Sequence, residues 1–443
     1  MSYVLHRSCN SNLPTVQQGQ GLFLKDTNGK QYLDACGGAA VSCLGYDNQR
    51  VISAIKQQID QVAYVHTSFF TNNPQEQLAQ HLIKHHHSNE FNNIYFVSGG
   101  SEAVEAAFKL ARQYYFEQGQ HQKKYILARK QSYHGNTLGA LSAGGNLWRR
   151  KMFDPILLSP NHISACYQWR DQQQHESAYQ YGQRIANELE TEILRLGAEN
   201  TLAFIAEPVV GATAGALVPV EGYFKRIREI CDQYDILLIL DEVMCGMGRT
   251  GTLHACEQDG IVGDLQTVAK GIAGGYQPLG AVFVSAKIHD TICNGSGMFQ
   301  HGHTYIGHAT ACAAGLAVQQ EIQENNLLEN VKKQGQLLKK LLTEKMQDHP
   351  HIGDVRGRGL FVGIEIVQDK LNKTPFNPKL KLHSILKKKA MENGLMIYPM
   401  GGTIDGNYGD HILLAPAYTI TESLIHEIVD RLILSIDQAI NQV

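Results

Sequence analysis

The stretch "ILLILDEV", residues 236 to 243, joins an uninterrupted apolar run to two acidic residues. Three other apolar runs resemble it: "NIYFVS" at 93 to 98, "KYILAR" at 124 to 129 and "LAFIAEP" at 202 to 208. Helical patterns such as "SEAVEAAFKLAR" and "YFKRIREICDQYD" lie between the runs. Continuous apolar strands that alternate with helices are typical of a parallel sheet buried on both faces. The sequence therefore predicts an α/β fold.

The pattern changes toward both ends of the chain. Residues 22 to 35 alternate apolar and polar positions around an Asn28-Gly29 turn, which predicts a small hairpin. A Lys- and Gln-rich amphipathic helix follows residue 325. We interpret residues 56–325 as a large domain with a mostly parallel sheet flanked by helices. Residues 1–55 and 326–443 are expected to form a smaller α+β domain.

Composition excludes several classes of protein. The chain has 443 residues, of which 43% are hydrophobic and 18% charged, as in ordinary globular proteins. Its formal net charge of −3 gives no general attraction to nucleic acid or to an anionic membrane. Nine cysteines without a CxxC pair favour a reduced compartment and no zinc site. No secretory leader or 18-residue apolar run is present, so a cytoplasmic protein is expected.

Polar residues follow each of the four apolar runs. In a sheet of this kind, ligands bind where the strands end and the loops leave the apolar layer. The residues expected at this edge are Gly99-Gly100-Ser101, Tyr133-His134-Gly135, Glu207-Pro208 and Asp241-Glu242-Val243.

The segment "SGGSEAVEAAFKLAR" has the features of a phosphate site. Gly99 and Gly100 allow the backbone to approach a ligand, and Ser101 offers a hydroxyl at the start of a helix. It matches neither a Walker A loop nor a GxGxxG fingerprint. The alternative is a well-capped helix start without a ligand.

Two ionisable residues complete the pattern. Asp241 ends a buried strand, where a carboxylate needs a cationic partner such as a protonated pyridine; otherwise it caps a helix. Lys270, in "TVAKGIAGGYQPLGA" (267 to 281), can form an imine if it is partly removed from water; otherwise it is an ordinary surface lysine. A phosphate cradle, an aspartate for a pyridinium and a lysine for an imine describe the three ends of pyridoxal 5′-phosphate (PLP).

Six segments also carry a family resemblance. They are "FVSGGSEAVEAAFKLAR", "SYHGNTLGALS", "AEPV", "LILDEVMCGMGRTGTL", "TVAKGIAGGYQPLGAV" and "GHTYIGH". In this order they resemble the class III, or omega-type, aminotransferases of PLP fold type I. The resemblance extends from "LDACGGAAVSCLGY" to "GDHILLAPAYTIT", which is most of the chain.

The resemblance implies roles for the residues around PLP. Lys270 would form the imine with the cofactor and then carry the proton between the substrate carbon and the cofactor. Asp241 would pair with the pyridine nitrogen. Gly100 and Ser101 would hold the phosphate.

Five further positions take their expected roles from the same resemblance. Tyr133 would stack on the cofactor ring, with His134 in the same loop and Val243 under the other face. Glu207 would lie near the phenolic oxygen and the substrate entrance. Thr304 would reach the phosphate of the neighbouring subunit's cofactor, which implies a homodimer with shared active sites.

The implied reaction is a ping-pong transamination between an amine or omega-amino acid and a keto acid. A racemase, aminomutase or decarboxylase is the main alternative, because relatives with those activities share the cofactor residues. A PLP-fold binding protein without activity is a third possibility, and the presence of both Lys270 and Asp241 argues against it.

Substrate choice depends on positively charged residues. Many relatives carry an arginine where this chain has Tyr398-Pro399, which favours pyruvate over 2-oxoglutarate as acceptor. Arg358 and either Arg149 or Arg150 remain candidates to bind a carboxylate. Arg358 could equally pack at the domain boundary.

Two features suggest a metal site, but other interpretations are favoured. His81, His85, His86 and His87 lack an acidic or cysteine ligand at a fitting spacing, so we interpret them as a solvated helix end. Residues 401 to 410, "GGTIDGNYGD", lack the final glutamate of a calcium-binding EF-hand loop and predict a glycine-rich surface loop. No metal is predicted.

Overall fold

The computed structural model describes residues 3–9, 12–158 and 161–443. Within these ranges the strands are β1 (Val16–Gln20), β2 (Phe23–Asp26), β3 (Gln31–Asp34), β4 (Phe91–Val97), β5 (Tyr125–Arg129), β6 (Asn161–Ile163), β7 (Thr201–Ala206), β8 (Leu237–Asp241), β9 (Leu265–Val268), β10 (Gly280–Ser285), β11 (Ile352–Arg358), β12 (Phe361–Ile366), β13 (Leu395–Met396), β14 (Tyr398–Gly401) and β15 (Asp410–Leu414). The helices are α1 (Gly37–Ala40), α2 (Gln49–Gln61), α3 (Asn73–Lys84), α4 (Gly100–Glu117), α5 (Leu138–Ala143), α6 (Leu147–Arg150), α7 (Gln168–Asp171), α8 (Ala178–Leu196), α9 (Tyr223–Gln233), α10 (Ala286–Asn294), α11 (Ala309–Glu324), α12 (Leu327–Met346), α13 (Leu382–Glu392) and α14 (Glu422–Ile440).

A seven-stranded sheet forms the centre, in the spatial order β4-β10-β9-β8-β7-β5-β6. Its neighbours from β9 to β6 are parallel, whereas β10 runs antiparallel to both β4 and β9. Ile205 and Ile239 pack on the face covered by α4, while Phe204 and Leu238 pack on the face covered by α8 and α9. Because successive side chains point to opposite faces, a strand buried on both faces needs a continuous apolar sequence. The predicted α/β fold with a mostly parallel sheet is confirmed.

Two four-stranded sheets lie outside this centre, in the orders β1-β2-β3-β13 and β11-β12-β15-β14. The predicted hairpin is present as β2 and β3, with Gly29 at a φ of +84° in the turn. Leu33 in β3 pairs with Leu395 in β13, so the two end segments of the chain share one sheet. The domain boundaries near residues 55 and 325 stay a prediction.

The direction of the strands decides where the site can form. Strands β5, β7, β8 and β9 end at the same edge of the central sheet, and β10 begins there because it is antiparallel. A Cβ added to Gly280, at the start of β10, would lie 2.6 Å from the backbone oxygen of Gly99. The loops around Gly99, Asp241 and Lys270 therefore meet at one edge.

No helix in the described part of the chain combines the length and apolar character that crossing a membrane requires.

Candidate active site

A cavity of about 380 Å³ opens at this edge of the central sheet. It is lined by segments that are far apart in the chain, and among them are eight of the residues that were given a role at the cofactor from the sequence. These are Gly100, Ser101, Tyr133, His134, Glu207, Asp241, Val243 and Lys270.

Asp241 is buried at the end of β8 and both of its carboxylate oxygens are engaged. One oxygen lies 2.7 Å from Nδ1 of His134. The other accepts hydrogen bonds from the backbone N–H of Val243 and from Oγ1 of Thr267, each at 3.1 Å. These contacts hold the carboxylate in one orientation at the cavity wall. Nε2 of His134 is buried and has no partner among the described residues.

Lys270 follows β9 and has a left-handed backbone, with a φ of +49°. Within the described ranges its amine takes part in no hydrogen bond or ion pair. Burial lowers the pKa of Lys270 below its ordinary value, although the carboxylates of Asp241 and Glu207 oppose this effect. A lowered pKa increases the neutral fraction of the amine, which is the form that attacks a carbonyl carbon.

The start of α4 forms a cradle for an anion. Gly99, at the N-cap position, supplies no side-chain hydrogen bond to the first turn, whose N–H groups point out of the helix end. A Cβ on Gly100 would lie 2.7 Å from Cγ1 of Val243, so the close contact between these two residues requires glycine. Ser101 Oγ accepts the backbone N–H of Asn136 at 3.1 Å and links the cradle to the Tyr133 loop. The unpaired amine, the oriented carboxylate and this cradle together fit PLP.

Glu207 holds the Tyr133 loop against the cavity. Its two carboxylate oxygens accept the backbone N–H groups of Tyr133 and Gly211, each at 3.0 Å. Burial raises the pKa of Glu207. No arginine side chain forms an ion pair with this carboxylate in the part of the chain that the structure describes. By accepting the backbone N–H of Tyr133, Glu207 fixes the loop that carries the Tyr133 ring.

Gly135→Ala is expected to weaken cofactor binding by about tenfold or more and to destabilise the fold. Gly135 has a φ of +137°, and its added Cβ would lie 2.6 Å from Oγ of Ser101. Gly119→Ala is the matched control, because Gly119 also has a positive φ, +77°, but has no atom within 4 Å of an added Cβ. Both variants should lose about 1 kcal/mol of folding stability, because alanine is strained at a positive φ. PLP titration and thermal unfolding measure the difference, and equal PLP affinities in the two variants would contradict the cradle.

Two arginines proposed from the sequence have other partners. Arg358 forms a bidentate ion pair with Asp259, at 2.8 and 3.0 Å, and lines a separate cavity. Arg150 is buried and donates to the carbonyl oxygens of Ser142 and Gly144. Arg358 does not line the active-site cavity. This position agrees with the alternative given above, in which Arg358 packs at the domain boundary and binds no substrate.

Tyr398 and Thr304 lie outside the cavity lining. Tyr398, in β14, is half-buried and packs on a cluster that contains Met244, which does line the cavity. Thr304 is exposed, and its backbone oxygen accepts the hydroxyl of Tyr64 at 2.9 Å. Its position on the surface leaves its expected role toward a second subunit a prediction.

Sequence reasoning missed Thr267 as a partner of Asp241. The two residues are paired across β8 and β9, so the hydroxyl meets the carboxylate directly. A threonine at the end of an apolar strand, three residues before Lys270, was the available signal. The pairing of the two strands was needed to interpret it.

Of the four histidines interpreted as a solvated helix end, His87 is exposed, His81 and His85 are half-buried, and His86 is buried. His86 is buried, its ring lies 4.5 Å from that of His87 and 4.2 Å from that of His254, and burial lowers its pKa to about 4. A solvated helix end is therefore wrong for His86, because a residue 168 positions away in the chain covers it. Among the described residues, no group of three or more His, Cys, Asp or Glu side chains could hold a metal ion.

The segment 401 to 410 is also less exposed than a surface loop. Gly402, Thr403, Gly406 and Gly409 are buried. A Cβ on Gly406 would lie 2.9 Å from the backbone nitrogen of Trp148, so this segment packs on the start of α6.

Comparison with known proteins gives a consistent result. The family model described as Aminotransferase class-III matches residues 5–436. An uncharacterized aminotransferase of Schizosaccharomyces pombe is 44% identical, over 97% of this chain and 94% of its own length. Gamma aminobutyrate transaminase 3 of Solanum lycopersicum is 35% identical, over 94% of this chain and 78% of its own length.

Solved structures of similar proteins share the whole fold. The omega transaminase from Pseudomonas jessenii, in complex with PMP, superposes with a TM-score of 0.93 at 31% identity. The match covers 100% of this chain and 97% of the other.

Proposed function

Because the chain belongs to the class III aminotransferase family, whose members depend on PLP, we propose that it moves an amino group from an amine or omega-amino acid to a keto acid. The proposed mechanism is ping-pong: the donor gives its nitrogen and leaves as a carbonyl product before the keto acid binds. The observation that carries this proposal is the unpartnered amine of Lys270 in the same cavity as the buried, oriented carboxylate of Asp241. The relative from Solanum lycopersicum is named for an omega-amino acid, which supports that donor class.

The cavity has a group for each part of the cofactor. The start of α4, at Gly100 and Ser101, would hold the phosphate, and Asp241 would face the ring nitrogen. Tyr133 and Val243 would cover the two faces of the ring. Bound PLP supplies a carbonyl carbon for the amino group and a ring that accepts electrons from the substrate carbon.

Lys270 is the proposed base and nucleophile. Burial lowers the pKa of its amine, so the amine can take a proton from the substrate carbon and later return it. Its left-handed backbone brings the side chain to the cavity directly after β9. The proton thus stays on Nζ of Lys270, out of bulk water, between the two transfers.

Asp241 has the proposed role of keeping a positive charge on the ring nitrogen. Its buried carboxylate is held by His134, Val243 and Thr267, so it cannot turn away from the cofactor. A buried carboxylate favours the protonated form of a nitrogen beside it. His134 thereby acts through Asp241 and not on the substrate.

The proposed acceptor is a monocarboxylic keto acid such as pyruvate. Tyr398 stands where many relatives carry an arginine, and Lys270 is the only lysine or arginine among the described residues that line the cavity. A second carboxylate on the acceptor would therefore face Glu207 and Asp241 without a matching cation.

We also propose a cytoplasmic homodimer. Tyr305, which follows Thr304 in the chain, is exposed, as are Phe69 and Phe70. Large exposed aromatic groups of this kind mark interaction surfaces. All nine cysteines, each within the described ranges, are free, as expected in a reduced compartment. Sedimentation should give twice the 49.1 kDa mass of the chain; a monomer that retains full activity would contradict shared active sites.

Half-reactions test the proposed function. The PLP-loaded protein should convert to the pyridoxamine form with a suitable amine, and pyruvate should reverse the change, both followed in the visible absorbance of the cofactor. A panel of donors against pyruvate and 2-oxoglutarate identifies the substrates. Epimerised amino acid or CO₂ without a keto product would instead indicate a racemase or a decarboxylase. No change with any donor would indicate a binding protein.

A further inference from the structure

Arg149 is a positively charged residue beside the cavity with no acidic partner in the described part of the chain. Its guanidinium carbon lies 4.7 Å from the centre of the Tyr133 ring, and Tyr133 lines the cavity. Its Nε is buried and has no hydrogen-bond partner among the residues that the structure describes. A buried donor that lacks a partner is costly, so a ligand that supplies an acceptor there gains binding energy.

The negative charges of the cavity wall mean that a substrate with a carboxylate needs a positively charged residue to bind it. Glu207 and Asp241 are carboxylates within the cavity wall, and both would repel a carboxylate on the substrate. Lys270 cannot compensate for this, because its amine takes part in the reaction. A guanidinium binds a carboxylate through two parallel hydrogen bonds, which fixes the orientation of the ligand as well as its charge.

The guanidinium of Arg149 is held in place before any ligand binds. It contacts two aromatic rings, 4.7 Å from the centre of the Tyr133 ring and 5.7 Å from the centre of the Trp148 ring. Helix α6, which carries Arg149, begins at Leu147 and is capped by Asn146, whose side chain accepts the backbone N–H of Arg149 at 3.3 Å. The buried segment around Gly406 packs against the first turn of the same short helix. A preorganised cation loses little freedom on binding.

We propose that Arg149 binds the single carboxylate of the amino acid and keto acid substrates, at the edge of the Tyr133 ring. The inference rests on the proposed function and adds the residue that recognises the acid. The substrate carbonyl or amine then lies toward Lys270, and its carboxylate extends past Tyr133 to the guanidinium. Burial raises the pKa of Tyr133, and the positive charges of Arg149 and Arg7 oppose this effect.

Arg149→Gln tests this role with two carbonyl compounds of the same carbon number. The pyridoxamine form of the enzyme is reacted with pyruvate, which carries a carboxylate, and with propanal, which does not. The variant should weaken the apparent affinity for pyruvate by about tenfold to a hundredfold. The affinity for propanal should change less than twofold, and the maximum rate with pyruvate should stay within about threefold.

Two further variants make the result specific. Lys151→Gln removes a positive charge from the neighbouring exposed position and should change neither affinity. Arg149→Lys should recover only part of the pyruvate affinity, because an ammonium cannot form the two parallel bonds. PLP content and the unfolding midpoint are measured for each variant to exclude a loss of fold.

The outcomes separate the inference from the proposed function. Equal losses for pyruvate and propanal in Arg149→Gln, or no loss for either, would overturn the role of Arg149. If the unaltered enzyme reacts with propanal but with no keto acid, the proposed function itself fails, and the inference fails with it.

Discussion

Lys270→Ala should slow both half-reactions by about a thousandfold or more, because the variant loses the amine that is expected to bond to the cofactor and to move the substrate proton. Stopped-flow absorbance with a fixed donor and with pyruvate measures both rates. The variant should still bind PLP through the cradle at α4 and through Asp241, which do not depend on the amine.

A second lysine at the same edge of the sheet provides the control. Lys130 is exposed directly after β5, and Lys130→Ala should retain the rates of the unaltered enzyme. Borohydride reduction of the loaded enzyme, followed by peptide mapping, should place the cofactor on Lys270. Label on another lysine, or more than a tenth of the original rate in Lys270→Ala, would reject the assignment.

Asp241→Asn should lower the rate of donor conversion by about a thousandfold while retaining most of the local contacts. The amide oxygen can still accept the N–H of Val243 and the hydroxyl of Thr267, but the negative charge is lost. At an effective dielectric constant of 20, a charge pair about 4 Å apart contributes about 4 kcal/mol. That energy corresponds to a factor of about 10³ in the protonation of the ring nitrogen.

Asp264 is the matched buried carboxylate for this experiment. It directly precedes β9 and pairs with Arg228 at 2.9 Å, at the sheet edge opposite the cavity. Asp264→Asn should lower the unfolding midpoint and leave the rate per folded molecule unchanged. If Asp241→Asn keeps its rate within tenfold of the unaltered enzyme, the carboxylate serves the fold and not the ring nitrogen.

The central strands were predictable because a strand that is buried on both faces has a continuous apolar sequence. Strands β7 and β8 are buried along their full length, and the apolar runs at 202 to 208 and 236 to 243 identified both. The family resemblance, the dependence on PLP and the transaminase class are confirmed by the family match across residues 5–436. Six motifs in order carried this information.

Contacts between distant residues were not predictable in the same way. The direction of β10 could not be inferred, since an apolar run has the same pattern in either direction. Arg358 could not be assigned, because its partner Asp259 lies 99 positions away and no local pattern marks the pair. The burial of His86 against His254 was not predictable either, because the two residues are far apart in the chain and no local pattern marks their contact.

The antiparallel direction of β10 has a consequence for engineering this enzyme. The segment from 269 to 279 leaves one central strand and enters its neighbour, with Val268 paired to Ala281. Lys270 therefore sits in a loop tethered at both ends, and an inserted residue would alter how far its amine reaches. Libraries that seek new substrates should leave the length of this loop constant and vary the side chains around Arg149.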